Sequence, residues 1–214
     1  MWMQVTVNGR AVHTRYLSPV TAGTYSAATT TSGLTRPQLR SREAHHEAGH
    51  AVIAMALGLP VTAVHLYPNP APVPGAEEDM HHLGHTALGP FHADVHDVLV
   101  FLAAGVRAAH RWLDEQDLLN PHSAFFNDVL GGSGDQERMI SLATARPIEF
   151  TWGAERSPHV PSGHDHVEMA SKYGQADELI HDNWGRISTL AHELLACGSV
   201  DASRLWSLHQ RHTP

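Results

Sequence analysis

The clearest hydrophobic pattern in the chain is the stripe Val95, Leu99, Leu102, Val106 and Ala109. Its three-to-four spacing predicts a core-facing helix, opened by Pro90 and ending near Leu113. Upstream, Pro37 suits a first helical turn, the residues through Leu57 are good helix formers, and Gly58 with Pro60 stops them. Gly49 is the exception inside that helix: it costs about 1 kcal/mol relative to alanine, and it suits the close approach of another backbone. Residues Gln4 to His13 alternate around Asn8-Gly9 and read as a short β-hairpin. Val61 to Tyr67, β-branched and apolar between two prolines, reads as a strand, and His82 to Leu88 as a second one. Paired, they make a small sheet with exposed edges.

The remaining stretches carry weaker patterns. Ser18 to Thr35 has few large apolar residues and reads as a flexible linker. Pro68 to Met80, with four prolines, is a loop, and Asp114 to Gly134 is irregular. Asp135 stands at the mouth of a helix, Gln136 to Arg146, which Pro147 stops. Ser162 is placed to cap a long helical region, broken at Gly174 and ending at Gly198, and Asp201 to cap a short final helix. The C-terminal third thus reads as purely helical. The expected fold class is mainly α (α+β), with a hairpin and linker over 1–39 and one folded domain over 40–214.

Composition sharpens this picture by exclusion. A chain of 214 residues has room for one sizeable core. Its 22 acidic against 14 basic residues argue against binding nucleic acid or an anionic membrane surface. A single cysteine, Cys197, excludes an intrachain disulfide, and a cytoplasmic setting is the expectation. Met1 to Arg10 lacks the pattern of a signal peptide. The longest apolar run, Val98 to Val106, is nine residues; a membrane helix needs about 20, so no span is expected. The sole lysine, Lys172, follows Ser171 rather than glycine, so the chain has no phosphate-binding loop and no expected ATP site.

Chemistry concentrates in His46-Glu47-Ala48-Gly49-His50. Histidines four apart on a helix present both imidazoles to one ion, and the glutamate between them falls where a general base is needed. Because the chain holds 19 histidines, any single one is weak evidence of a site. A third ligand must come from elsewhere. The extended pattern with a further histidine six residues on is excluded, since Ala56 stands there. Glu77 and Glu78 sit in the proline-rich loop and are poor candidates. Asp135 is the better one, delivered by the turn Gly131-Gly132-Ser133-Gly134, although aspartate at a helix start is equally well read as a cap. His45 points about 100° away from His46 and reads as a surface residue. His92 and His96 read as solvated, and His164 and His166 as the start of a helix. His81, His82 and His85, near a strand edge, read first as an ordinary polar face and second as a cluster facing the cleft on the substrate side.

The segment His46-Glu47-Ala48-Gly49-His50-Ala51-Val52 resembles the H-E-A-G-H-A-V of the peptidase domain of FtsH-type ATP-dependent zinc metalloproteases. Leu83-Gly84-His85-Thr86, Gly105-Val106-Arg107-Ala108-Ala109 and Gly132-Ser133-Gly134-Asp135 are similar to later segments of that family, in the same order. The resemblance covers roughly residues 40 to 210. It implies a helical peptidase fold, zinc (Zn2+) bound by His46, His50 and Asp135, and Glu47 as the base. The chain departs from the family in lacking an ATPase module and membrane anchor, so a hexameric ring or other homo-oligomer is not implied. It also carries His110 where the family has a glutamate. The expected activity is ATP-independent hydrolysis of unfolded or flexible polypeptide segments, docked along the sheet edge near Val61 to Tyr67. The alternatives are a peptidase-fold adaptor module without turnover and a histidine-rich metal store.

Overall fold

In the computed structural model, which describes residues 2–7, 10–17, 32–68, 83–153 and 163–210, the chain folds around one central helix. In chain order the elements are β1 (Met3–Val7), β2 (Arg10–Thr14), α1 (Arg36–Ala56), β3 (Val61–Leu66), β4 (Gly84–Leu88), α2 (Val95–Glu115) and α3 (Pro121–Phe126). A π-helical turn (Asn127–Gly131) leads into α4 (Ser133–Ala145), and β5 (Ile148–Thr151), β6 (Asp165–Glu168), α5 (Met169–Cys197), β7 (Ser199–Asp201) and α6 (Ala202–Gln210) follow. The fold is mainly helical with small sheets, the α+β class expected.

The start of α1 is set locally. The Thr35 hydroxyl accepts from the Gln38 N–H while the Gln38 side chain accepts from the Thr35 N–H, and Pro37 occupies the first turn. From Arg42 to Ala54 every residue of α1 is buried, although Arg42, Glu43, His45, His46, Glu47 and His50 are polar. A buried polar group left without a partner costs about 1–3 kcal/mol, so a helix enclosed in this way needs partners from its surroundings. Two helices enclose it. On α2, Leu99, Leu102, Val106 and Ala109 are buried as their spacing predicted. A Cβ at Gly49 would stand 2.5 Å from Ala108 Cβ and 2.9 Å from the Ala104 carbonyl. This glycine therefore lets α1 and α2 meet at backbone distance, as the sequence suggested. α5 closes the other side, tied to α2 by Arg107, whose Nε and Nη2 donate to the Asp177 carboxylate at 2.7 and 2.9 Å.

The sheet beside α1 runs in the order β4-β3-β7, all antiparallel, with Val64 opposite Thr86 on one side and Val200 on the other. β3 is thus the central strand rather than an edge near Val61 to Tyr67, and among the described residues the outer strands are β4 and β7. β5 and β6 form a separate parallel pair. The N-terminal hairpin has the expected register, Gln4 opposite His13, while its turn at Asn8-Gly9 lies outside the described residues. Val12 packs with Phe125 and Val129 in a small core of its own.

Several boundaries differ from the sequence expectation. α2 begins at Val95 rather than at Pro90, because the Asp94 side chain accepts from the His96 N–H at 2.9 Å and fixes the start there. The span 114–134, expected to be irregular, contains α3, capped by Asn120, and the π-helical turn. The C-terminal third is not purely helical. β5, β6 and β7 are three or four residues long, too short to show a period, and each exists only through its partner strand. His166 accordingly lies on β6, and α5 runs unbroken through Gly174 to Gly198, whose φ of +74° terminates it. Residues 18–31 of the expected linker, the loop at 69–82 and the expected cap Ser162 lie outside the described residues. Among the described residues no helix is long and apolar enough to cross a membrane.

Candidate metal centre

One turn of α1 separates His46 from His50, and their Nε2 atoms stand 3.0 Å apart. Asp135 Oδ2 reaches both, at 3.2 Å from His46 and 3.1 Å from His50. All three side chains are buried and lie close enough to hold a metal ion. Asp135 does not act as a helix cap. α4 starts from Gly132, which has no side chain to offer, and the aspartate in its first turn faces the imidazoles instead.

The local environment favours a cation between these donors. A Cβ at Gly105 on α2 would collide with His50 Nε2 and stand 2.7 Å from His46 Nε2. The glycine thus leaves open the space in front of both nitrogens. His50 Nδ1 lies 2.9 Å from the Phe101 carbonyl, so Nδ1 carries the proton and donates, and the Nε2 lone pair is free for an ion. His46 is held differently. Its Nδ1 faces Arg42 Nη2, which can only donate, at 3.3 Å. Ligation through His46 Nε2 requires a proton on Nδ1, and this contact, already beyond the usual hydrogen-bond range, is then given up. Arg42 keeps its other partners, donating to Asn127 Oδ1 from Nε at 2.9 Å and from Nη2 at 2.7 Å, and from Nη1 to Glu43 at 2.6 Å.

The charges leave room for a cation. The buried carboxylates Glu43, Glu47 and Asp135 face the buried guanidinium of Arg42 and, 3.9 Å from Asp135 Oδ1, that of the exposed Arg138, so a net negative charge remains at the site. Without a cation the balance is made by protons. Burial depresses the His50 imidazole, but the Asp135 and Glu47 carboxylates outweigh it and lift the pKa to about 9. Burial pushes Glu47 above the ordinary carboxylate range, with Glu43 and Asp135 adding to the shift and His50 and Thr86 opposing it. Asp135 is raised by burial, yet the charge of His50 and hydrogen bonds from both histidines hold it well below that range. Burial lowers His46.

Glu47 is positioned from β4. Thr86 Oγ1 donates to its Oε2 at 2.7 Å, and a Cβ at Gly84 would stand 2.5 Å from Glu47 Cγ, so the strand lies directly on the glutamate. Both carboxylates of the helix face, Glu43 and Glu47, line a pocket of about 100 Å³ with the three donor residues. The sequence reading assigned no role to Arg42, Asn127 or Thr86. Only the aspartate partner was legible, because its glycine-rich turn was.

Of the other described histidines, His85 alone lines the site's pocket. His45, expected at the surface, is buried and stacks on Trp112 with ring centroids 5.3 Å apart, because α1 is enclosed on that side too. His92 is exposed and precedes α2, so it is not one turn from His96. His85 lines the pocket, while His81, His82, Glu77 and Glu78 lie outside the described residues. His110 is on the far side of α2 and sits 2.6 Å from the Tyr16 hydroxyl. No protein-family model matches the chain, and no curated protein matches it.

Proposed function

We propose that the chain is a zinc-dependent endopeptidase that hydrolyses unfolded or flexible polypeptide segments without binding ATP itself. The observation that carries the reading is the placing of Glu47: a carboxylate oriented by Thr86, next to His46 on α1, facing the same pocket as a buried two-histidine, one-aspartate donor set. Two imidazoles and one carboxylate suit zinc better than the all-oxygen shells of calcium or magnesium. Donors bonded to a tetrahedral ion at about 2.0–2.1 Å stand about 3.3–3.4 Å apart, within a few tenths of an ångström of the 3.0–3.2 Å seen here. The resemblance of His46 to Val52 to FtsH-type peptidase domains supports the same assignment.

Zinc, when bound, supplies Lewis acidity toward water and the scissile carbonyl. Glu47 takes the proton of the attacking water and returns it to the leaving amine nitrogen. Thr86 holds the carboxylate in place during both transfers. The outer edge of β4 offers backbone groups to an extended peptide, and such pairing reads little sequence and requires an unfolded segment. Glu47→Gln tests this directly: metal content stays at the wild-type level while hydrolysis of an unfolded protein falls at least about 10²-fold. Equal turnover by the two proteins refutes the mechanism, and loss of the metal refutes the division of roles.

A further inference from the structure

The hairpin at the N-terminus touches the body where the third metal donor is mounted. Gln136, the residue after Asp135, is buried, and its side-chain amide clasps one residue of β2: Oε1 accepts from the His13 N–H at 2.8 Å and Nε2 donates to the His13 carbonyl at 2.7 Å. Both backbone groups of His13 point away from β1 to make this pair, so the side chain acts as a one-residue extension of the hairpin. One residue further on, Thr14 Oγ1 donates to Asp128 in the π-helical turn at 3.2 Å. One residue before, Val12 is packed between Phe125 and Val129. Three consecutive residues of β2 therefore hold the segment from Phe125 to Gln136 that delivers Asp135.

This anchoring has a physical purpose. His46 and His50 are fixed by α1 itself, which is buried from Arg42 to Ala54, and His50 also by Phe101. Asp135 sits in the first turn of a helix whose start has no side-chain cap, preceded by three glycines among four residues. Such a leader is intrinsically loose. We propose that Gln136 is a positioning residue, and that the N-terminal hairpin, through it, sets Asp135 within reach of the two histidines. The hairpin is then a part of the metal site's mounting. The inference rests on the reading that His46, His50 and Asp135 bind a metal.

The test uses full-length protein titrated with Zn2+ against a chromophoric chelator, and with Co2+ for its visible spectrum. Gln136→Ala removes the whole clasp from α4, and His13→Pro removes its N–H half from the other side, together with the stacking of the His13 ring on Trp152, without touching α4. Partners that orient metal ligands typically contribute 10–100-fold to affinity, and each variant is expected to lose about that factor. The Co2+ spectrum should shift toward that of Asp135→Ala, a change that mere loosening of the fold does not produce. In the double variant the losses should be less than additive, since Gln136→Ala already removes the hydrogen bond that His13→Pro removes. Wild-type affinity and spectrum in folded Gln136→Ala and His13→Pro overturn the proposal while leaving the metal site standing. Failure of the wild type itself to bind either ion overturns both.

Discussion

Gly105→Ala separates the metal site from the fold more cleanly than any ligand substitution. In an ordinary helix interior this change stabilises by about 1 kcal/mol, and nothing in the backbone of α2 opposes it. The new methyl instead meets the imidazole tips, 2.7 Å from His46 Nε2 and closer still to His50 Nε2, where ordinary contact begins near 3.4 Å. The rings must yield by about 0.7 Å or more, whereas a metal site tolerates about 0.2 Å in its bond lengths. Both rings are buried and His50 is held by the Phe101 carbonyl, so moving them offsets that gain, and the metal-free protein should fold to within about 2 kcal/mol of the wild type. Metal affinity should fall at least about 100-fold, which is about 2.7 kcal/mol. At a metal concentration 1,000 times the wild-type Kd, binding stabilises the wild type by about 4.1 kcal/mol and such a variant by about 1.4. For a chain of this size each kcal/mol moves Tm by about 2–4 °C, so thermal melts with and without Zn2+ should show a shift of about 8–16 °C in the wild type and about 3–6 °C in the variant. An undiminished shift in Gly105→Ala refutes the placing of the ion.

Gly49→Ala strikes the helix packing instead, because its methyl meets Ala108 Cβ and the Ala104 carbonyl; forcing α1 from α2 should destabilise by about 1–3 kcal/mol, measured by urea unfolding of the metal-free protein. Thr86→Val removes the hydrogen bond to Glu47 at nearly constant volume; kcat should drop about tenfold for about 1.4 kcal/mol of lost positioning, with the Zn2+ affinity within a few-fold of wild type. His110 is lowered to about 4 by burial, with Arg107 and Arg15 adding to the shift and Asp177 and Asp114 opposing it, against the Tyr16 hydroxyl. An unfolded histidine binds its proton near pH 6.5 and the folded one only near 4, so protons favour the unfolded chain between these values. Stability should fall as pH drops from about 6.5 and level off near 4, and His110→Gln should make that part of the urea-midpoint profile shallower, the buried His45, also lowered to about 4, supplying slope that remains.

The sequence by itself determined the central helix and its two histidines, because these rest on local rules: Pro37 in the first turn, a four-residue repeat, and glycine after the end; its cap, Thr35, lay in what read as linker. It also determined the stripe on α2, the pairing of β3 with β4 and the hairpin register, since each pattern lies within one or two adjacent segments. Only the tertiary structure decided what a helix as polar as α1 does when buried on every side. That burial turned His45 from an expected surface residue into a core one, and it made Arg42, Glu43 and Asn127 partners in one charge balance. The tertiary structure also took β3 from the edge of the sheet to its centre, because β7 arrives from the far end of the chain. The choice between cap and ligand for Asp135 could not be made locally. A helix start accepts either use of an aspartate, and what settled its orientation was the arrival of two imidazoles from α1, eighty-five residues away in the chain.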